Sequence, residues 1–419
     1  MRGRGLGAVL AVALVARLAV MGPALRRPLE DPDNYRPLAR SLAQGRGYRY
    51  RANPSAPARP TAYRPPLYPL LLAPIEATWG DRADPAILAL HLAFGLATAG
   101  LTVVAARRWG LSGPRSLAAG LVVALDPVLV AQGRAVMTET LAALLIAASL
   151  ASLAGRSRWS PALGGLLLGL AGLCRPSLLP GAGLVVLARA VVEPGAIRHR
   201  VGAALPILVA LALTPLPWAI RNWVALGEPV ATSTHGGYTL ALANNDYYYD
   251  DVLNGPPGAV WSGPGQRAWA VEISRATSGL GEPAADRWLS RSALRTIAAR
   301  PRDFARASMA RLGRFWGVVP SGAVYPRSLR WATAAWTLPL WAAALVGLSR
   351  RGLWRWPAVA APMLVLGLST VHAAYWTDLR MRAPIVPALA LVAAGASIRG
   401  PKKIVGNPGI SAVQNGRKR

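Results

Sequence analysis

Long apolar runs separated by short basic loops constrain this chain more than any other feature of its sequence. A helix needs about 20 consecutive apolar residues to cross the hydrocarbon core of a bilayer. Hydrophobic residues make up 53% of the 419 residues, which favours a polytopic membrane protein over a soluble domain. The predicted spans are residues 6–25, 84–106, 116–133, 137–154, 160–174, 177–192, 201–220, 330–349, 357–376 and 384–398.

These spans predict an all-α membrane domain over residues 1–398, with ten helices and two long segments outside the bilayer. The segments are residues 26–83 and 221–329. The helices between residues 160 and 192 are short, which leaves the number of crossings there open. The polar tail, residues 399–419, contains lysines and glycines, so we expect a disordered cytoplasmic extension.

The first apolar run also fits a secretory signal peptide, because Arg2 and Arg4 precede it. No small-x-small cleavage site ends the run, and more spans follow. We therefore interpret it as a retained first helix.

Basic residues in the short loops predict the orientation. They cluster in alternate loops, which places both termini in the cytoplasm and residues 26–83 and 221–329 outside an inner or plasma membrane. In this arrangement Glu193 is the sole acidic residue on the inner side, so we expect the functional site on the outer face.

The net charge of +29 does not indicate nucleic-acid binding, because the basic residues lie between apolar spans rather than on one solvated face. All but three of the 47 lysines and arginines are arginine. This usage fits either a GC-rich coding sequence or arginines that pair with phosphates, whose geometry suits the guanidinium fork.

The single cysteine, Cys174, excludes an intrachain disulfide and a cysteine-based metal cluster. The four histidines are scattered along the chain and form no metal-binding motif. We therefore predict no metal site and no required cofactor. A divalent cation is possible without positive support from the sequence.

Two carboxylates follow the first span directly, Asp31 and Asp33. Either could act as a general base or stabilise positive charge at a sugar carbon. Alternatively, one of them caps the helix that starts near Tyr35, and Asp33 fits this second role better because it is closer. On spacing alone, Asp31 fits both roles equally.

The two arginine-bearing segments are candidates for binding a phosphate. In the first, prolines hold Arg64 on a stiff support between Tyr63 and Tyr68. There Arg64 either faces a phosphate or orders the loop around Asp31, unless the segment is an interfacial turn with aromatic anchors. In the second, an extended link would put Arg380 and Arg382 on one side, where they grip a phosphate or snorkel to the membrane edge.

Four further residues are candidate substrate ligands. Glu139 begins the fourth span and either caps it or contacts substrate. Arg175 is ionisable near a span end, which makes it a functional candidate by default. Asn244 and Asn245 suit a hydroxyl-rich ligand or a tight loop.

Taken together, these residues resemble the GT-C membrane glycosyltransferases, in the bacterial branch related to protein mannosyltransferases and the lipid A aminoarabinose transferase. The resemblance runs to residue 398 and depends on the order and spacing of its motifs. These are Asp31 with Tyr35, Leu38-Ala39-Arg40-Ser41-Leu42, Gly45-Arg46-Gly47, Arg64-Pro65-Pro66-Leu67-Tyr68-Pro69, Thr138-Glu139-Thr140-Leu141, Arg175-Pro176, Pro217-Trp218, Arg221-Asn222, Gly236-Gly237-Tyr238, Asn244-Asn245 and Arg380-x-Arg382-x-Pro384.

The resemblance implies an inverting transferase that moves a sugar from a polyprenyl-phosphate donor to a hydroxyl on an acceptor glycan, lipid or protein at the outer face. Asp31 would be the general base, with Arg380 and Arg382 near the donor phosphate. Tyr35, Tyr63 and Tyr68 would contact substrate. Many relatives carry a second acid directly after the first, where this chain has Pro32 and places its second acid at Asp33.

Two alternatives belong to other functional classes. A transporter or flippase of polyprenyl-linked glycans would carry its acids and arginines at mid-span, whereas here they lie mostly at span ends, with Asp126 an exception. A non-catalytic member of the family would bind the lipid phosphate without turnover, and Pro32 in the motif keeps this alternative open.

Overall fold

A computed structural model describes residues 2–51, 57–255, 261–320 and 326–395. Its helices are α1 (Arg2–Met21), α2 (Tyr35–Ala43), α3 (Leu67–Trp79), α4 (Asp84–Arg108), α5 (Gly113–Leu125), α6 (Pro127–Ala131), α7 (Glu139–Leu153), α8 (Ser160–Cys174), α9 (Leu179–Val192), α10 (Ile197–Leu213), α11 (Leu216–Leu226), α12 (Gly236–Ala243), α13 (Asp246–Leu253), α14 (Pro264–Ala276), α15 (Glu282–Ala299), α16 (Pro301–Phe315), α17 (Arg327–Leu348), α18 (Ala360–Ala374) and α19 (Val386–Ala393). The strands β1 (Arg49–Tyr50) and β2 (Arg59–Pro60) form one short antiparallel pair.

The prediction of an all-α polytopic membrane protein is confirmed, and a helix lies at each predicted span. In the described ranges, four helical stretches are long and apolar enough to cross a membrane. They are Arg4–Arg26, Asp84–Arg108, Ile197–Leu226 and Arg327–Leu348; a fifth arises if α5 and α6, bent by 41°, count as one span. The number of ten crossings stays a prediction, and the expected tail at 399–419 lies outside the described residues.

Four apolar helices of the described ranges are shorter than a full crossing, and α7 and α8 are two of them. Both α7 and α8 have 15 residues, which corresponds to about 22 Å of helix against a hydrocarbon core of about 30 Å. The helix α7 begins at Glu139, and α8 ends immediately before Arg175. Candidate site residues therefore lie at one end of each of these two short helices.

Small residues allow close contact between the membrane helices. A Cβ atom on Gly165 of α8 would overlap the backbone carbonyl of Ile207 in α10, and one on Gly367 of α18 would overlap the backbone of Gly181 in α9. Only glycine permits such approaches, which bring helix backbones into direct van der Waals contact. This packing gives the bundle a stabilising interaction that does not depend on the hydrophobic effect.

A buried arginine donates hydrogen bonds to carbonyl groups at the break between α5 and α6. Pro127 interrupts the helix, so nearby carbonyl groups lose their usual amide donors. The Arg17 guanidinium of α1 donates to the carbonyls of Val123 and Ala124, at 3.3 and 3.1 Å. Arg17 is 3% exposed, and its burial is compensated by these bonds.

The described part of residues 221–329, the second of the two segments predicted to lie outside the bilayer and called the second outer segment, contains its own small helical unit. Helices α12 to α16 enclose an aromatic core that includes Tyr248, Tyr249, Trp261 and Trp269. Two of its helices, α15 and α16, each carry several arginines. This unit packs beside the first outer segment, and the candidate site lies between them and the helix ends.

Candidate active site

Asp31 caps helix α2. Its two carboxylate oxygens accept hydrogen bonds from the backbone amides of Tyr35 and Arg36, both at 2.9 Å. Asn34 has a left-handed conformation, with φ of 58°, and this turn brings Asp31 over the free amides at the helix start. The expectation that Asp33 fits the cap better is therefore wrong, because the chain reverses between the two acids.

Asp33 instead forms an ion pair with Arg64. Arg64 Nη2 lies 2.9 Å from Asp33 Oδ1, and Arg64 Nε donates to the Asp33 carbonyl at 3.0 Å. The guanidinium also lies over the rings of Tyr35 and Tyr63, with its carbon 5.8 and 5.2 Å from their centroids. Arg64 thus orders the loop that carries Asp31 and Asp33, the acidic loop. This was one of the two roles expected for Arg64.

Helix α2 is fixed to its neighbours through a buried carboxylate. Glu76 of α3 pairs with Arg36 and Arg40, at 2.6 and 2.8 Å, and its side chain is fully buried. Arg36 also pairs with Asp84 at the start of α4, at 2.6 Å. These pairs hold the acidic loop at the end of the bundle.

The environment of Asp31 favours a basic carboxylate. Burial raises the pKa of the Asp31 carboxyl above its usual value, while the amides of Arg36 and Tyr35 act in the opposite direction and the charge of Asp33 adds to the rise. A carboxylate with a raised pKa takes up a proton more readily. This shift suits a general base.

A second charged group forms at the start of α7. The amide of Val136 donates to the carbonyl of Glu30 at 2.9 Å, which places the acidic loop beside this helix end. Glu139 is completely buried and lies 3.0 Å from Arg175 and 4.0 Å from Arg380. Neither carboxylate oxygen of Glu139 has a hydrogen-bond partner in the described part of the chain, so the pairing with arginine is electrostatic.

Tyr35 and Tyr68 lie between the two charged groups, with ring centroids 5.2 Å apart. The Tyr68 oxygen lies 2.7 Å from Nε2 of His91, and Nδ1 of His91 lies 3.1 Å from the Gly133 carbonyl. Because a carbonyl only accepts, Nδ1 carries the proton and the Tyr68 hydroxyl donates to Nε2. Tyr68 is thereby held in place.

The charges of both groups reach these tyrosines. Burial raises the pKa of the Tyr68 hydroxyl well above its usual value, and the charges of Asp31 and Glu139 add to the rise. Burial also raises the pKa of the Tyr35 hydroxyl, as does Asp33, whereas nearby arginines oppose the rise. The structure thus gathers eight predicted site residues at one end of the bundle: Asp31, Asp33, Tyr35, Arg64, Tyr68, Glu139, Arg175 and Arg380.

Arg382 points elsewhere. The segment Leu379–Ile385 is a 3₁₀ helix, so the expected extended link is wrong, and residues two apart diverge rather than share one side. Arg382 is 2% exposed, donates to the carbonyls of Phe315 and Gly317, and lies 4.9 Å over the Trp341 ring. Arg380 and Arg382 therefore do not form a joint phosphate grip.

These contacts predict that Arg382→Met destabilises the protein by about 2–4 kcal/mol, because two carbonyl groups lose a charged donor. Chemical unfolding in detergent measures this change. Arg287→Met is the matched control, because Arg287 pairs with Glu228 at the protein surface, and it should leave the free energy of unfolding nearly unchanged. A normal unfolding midpoint for Arg382→Met, with weaker donor binding, would contradict the structural role.

Asn244 and Asn245 are both engaged within the protein. The Asn244 amide donates to the carbonyls of Leu240 and Ala374 and accepts from the Tyr249 hydroxyl. Asn245 caps α13 through its contact with the Tyr248 amide at 2.8 Å. This geometry favours the tight-loop alternative over contact with a hydroxyl-rich ligand.

Sequence reasoning missed Glu282, which joins the two outer segments. Its carboxylate accepts hydrogen bonds from the Thr61 hydroxyl at 2.6 Å, the Ala62 amide at 2.7 Å and the Thr234 hydroxyl at 2.6 Å. Its only local signal is an acid followed by Pro283 at a helix start. That pattern predicts a helix terminus and gives no hint of partners some 220 residues away.

The last of the twelve predicted site residues, Tyr63, lies beside the acidic loop, with its ring next to Arg64. Its ring packs edge-on against His235, with centroids 4.5 Å apart, and His235 stacks on Tyr238 at 5.3 Å. Burial, with the charge of Arg64 adding to its effect, lowers the pKa of His235 to about 3. The imidazole is therefore neutral at physiological pH.

Within the described residues, no group of three or more His, Cys, Asp or Glu side chains is arranged to hold a metal ion. Asp31 and Asp33 point to different partners, since one binds backbone amides and the other binds Arg64. The two acids thus do not form a paired ligand set, and the requirement for a cation stays an open prediction.

No family model and no curated protein matches the chain. Among solved structures, it is similar to the oligosaccharyltransferase of Archaeoglobus fulgidus in complex with zinc and sulfate, at 14% identity and a TM-score of 0.52, covering 94% of this chain. A second structure of that enzyme, tethered to an acceptor peptide, is similar at 13% identity and a TM-score of 0.50. For ArnT from Cupriavidus metallidurans bound to undecaprenyl phosphate, the identity is 17% and the TM-score is 0.40, and the match covers 76% of the ArnT chain.

The chain spans about half of the oligosaccharyltransferase, 48% of its length. At such identities the likeness establishes the fold alone. It confirms the GT-C-like fold that the sequence motifs implied.

Proposed function

We propose that this membrane protein of GT-C fold is a glycosyltransferase that moves a sugar from a polyprenyl-phosphate donor to an acceptor hydroxyl, with inversion at the sugar carbon. One observation carries the proposal. A half-buried carboxylate, Asp31, shares a loop with Asp33, whose charge acts on two arginines, Arg175 and Arg380, that follow the ends of short apolar helices. The fold shared with an oligosaccharyltransferase supports it.

Arg175 and Arg380 would bind the donor phosphate. Arg175 follows the end of α8, and Arg380 lies in the segment after α18, so a lipid can reach both from the hydrocarbon region. Glu139 lies between them and offsets part of their charge. Phosphate oxygens gain charge as the bond to the sugar breaks, and guanidinium groups stabilise that charge.

Asp31 would act as the general base. The acceptor hydroxyl transfers its proton to the carboxylate while its oxygen forms a bond to the anomeric carbon. The bond between that carbon and the phosphate oxygen breaks, and polyprenyl phosphate leaves with the electron pair. A single displacement inverts the configuration at the sugar carbon. The enzyme then needs only a base, cationic groups at the donor phosphate and exclusion of water.

Asp33 would act indirectly, through Arg64. Their ion pair and the contact of Arg64 with the Asp33 carbonyl fix the loop that carries Asp31. We place this site at the outer face of the membrane and both termini in the cytoplasm, on the distribution of basic loop residues.

We expect the purified protein in nanodiscs to consume one donor from a panel of radiolabelled polyprenyl-phosphate sugars and to release polyprenyl phosphate. The assay is run with an envelope extract as a source of acceptors, and heat-inactivated protein is the control. Donor binding without consumption would contradict the proposal and favour a non-catalytic role. Movement of donor across vesicles without sugar transfer would favour a transporter.

A further inference from the structure

Glu139 carries a charge that the fold alone does not explain. Its side chain is completely buried at the first position of α7, and within the described ranges neither of its carboxylate oxygens has a hydrogen-bond partner. A buried carboxylate that only supports the fold is normally satisfied by hydrogen bonds, and a buried ion pair often stabilises a protein no more than apolar residues would. The charge of Glu139 therefore points to a role in the site.

The two arginines beside Glu139 have other contacts that hold them. Arg175 Nη1 donates to the Thr138 hydroxyl at 2.9 Å. Arg380 Nε lies 3.2 Å from a carboxylate oxygen of Asp378. Glu139 is thus not the sole support of either guanidinium, and what it adds to both is a negative charge at 3.0 and 4.0 Å.

A phosphate bound by these arginines would experience that charge. In the proposed reaction the donor is a phosphodiester with a single negative charge, and the released polyprenyl phosphate is a monoester. The second pKa of such a monoester is about 6, so at neutral pH most of it is doubly charged. Because Coulomb energy scales with the charge of each partner, a fixed carboxylate repels the product about twice as strongly as the donor.

We propose that Glu139 sets the charge of the phosphate site so that the donor is bound and the doubly charged product is not retained; this inference rests on the proposed function. The two arginines alone would attract the product more strongly than the donor, and the buried carboxylate opposes that preference. Burial matters, because solvent screens a carboxylate such as Asp378, which has 46% of its side chain exposed. Glu139 would thereby determine specificity among lipid phosphates and assist release of the product.

Two lipids that differ by a single charge test this inference without turnover. They are polyprenyl phosphate and its methyl ester, a diester whose charge does not change with pH. Each is titrated into the protein in nanodiscs at about pH 5 and about pH 8, on either side of the second pKa of the monoester. For wild type, we expect the ratio of the two affinities to change less than about threefold between these pH values, because Glu139 offsets the second charge.

In Glu139→Gln, the monoester should gain about tenfold in affinity over the diester at the higher pH and almost nothing at the lower pH. Glu139→Asp retains the charge and should keep the wild-type ratio, which a purely structural role of the side chain does not predict. Glu228→Gln is the matched control, because Glu228 pairs with Arg287 at the protein surface.

Other ionisable groups near Glu139 act on both lipids, and the diester records their effect. The groups whose charges interact with Glu139 or with its two arginines are Asp33, Tyr35, Tyr68, Cys174, His372 and Asp378. Since these groups are the same in wild type and in Glu139→Gln, the difference between the two proteins reports the carboxylate at position 139.

An unchanged ratio in Glu139→Gln, or a shift of equal size at both pH values, would overturn the charge role. If Glu139→Gln does not fold, wild type alone decides. A monoester that gains about tenfold over the diester as the pH rises would show that nothing opposes the arginines, which also overturns the inference. In these cases the protein still binds a lipid phosphate and the proposed function stands, whereas binding of neither lipid would overturn the proposed phosphate site itself.

Discussion

Asp31→Asn is expected to lower the rate of sugar transfer by about 10²- to 10⁴-fold, which is the usual contribution of a general base. The amide cannot take up the proton of the acceptor hydroxyl. Its oxygen still accepts one of the two amide hydrogen bonds that Asp31 makes at the start of α2, so the helix should lose about 1 kcal/mol or less of stability. Transfer by wild type and variant is compared at saturating donor, together with donor binding, which should be unchanged.

The pH dependence adds an independent readout. A base acts only when deprotonated, so activity falls as the pH drops through its pKa. Burial raises the pKa of Asp31, so this fall should occur at a higher pH than for an ordinary aspartate. Asp81→Asn is the control, because the Asp81 side chain is 95% exposed in the same outer segment. Full activity in Asp31→Asn combined with its loss in Asp33→Asn would assign the base to Asp33.

Arg380→Gln should lower kcat/KM for the donor by about 10²- to 10³-fold, the effect of removing one group that stabilises developing charge. Arg380 lies 4.0 Å from the buried Glu139 and 3.2 Å from Asp378, and 31% of its side chain is exposed. It is therefore fixed by two carboxylates and still open to a ligand. Single-turnover measurements with a radiolabelled donor separate donor binding from the chemical step.

Arg287→Gln is the matched control for this substitution. Arg287 forms an ion pair with Glu228 at the surface of the outer unit, and exposed pairs of this kind contribute little. Unchanged donor kinetics in Arg380→Gln, with less folded protein, would show that Arg380 has a structural role similar to that of Arg382.

Hydropathy was sufficient to predict where the apolar helices lie, because it depends on residues that are close in sequence. The same holds for Asp31 and Arg175, which border predicted spans and both lie near Tyr35. Asp33 and Arg382 show the limit of such reasoning. The partner of Asp33 follows from a left-handed turn at Asn34, and the direction of Arg382 follows from a 3₁₀ helix, and no periodicity marks either one.

The residues that sequence reasoning placed wrongly or missed depend on distant partners. Asn244 is held by the carbonyl of Ala374, 130 residues away. Asn244 and its neighbour read equally well as ligand contacts or as a loop, and only this long-range bond distinguishes the two. Glu282 likewise acquires its role from Thr61 and Thr234, which a local pattern cannot indicate.

Two of the three hydrogen bonds at Glu282 hold the first outer segment against helix α15. Separating the first outer segment from α15 breaks the bonds to Thr61 and Ala62, because both end on the Glu282 carboxylate. The bond from Thr234 lies within the second segment and would stay intact. If an acceptor needs a wider passage than this contact leaves, separation of the first outer segment from α15, rather than the chemistry, would set the rate of turnover.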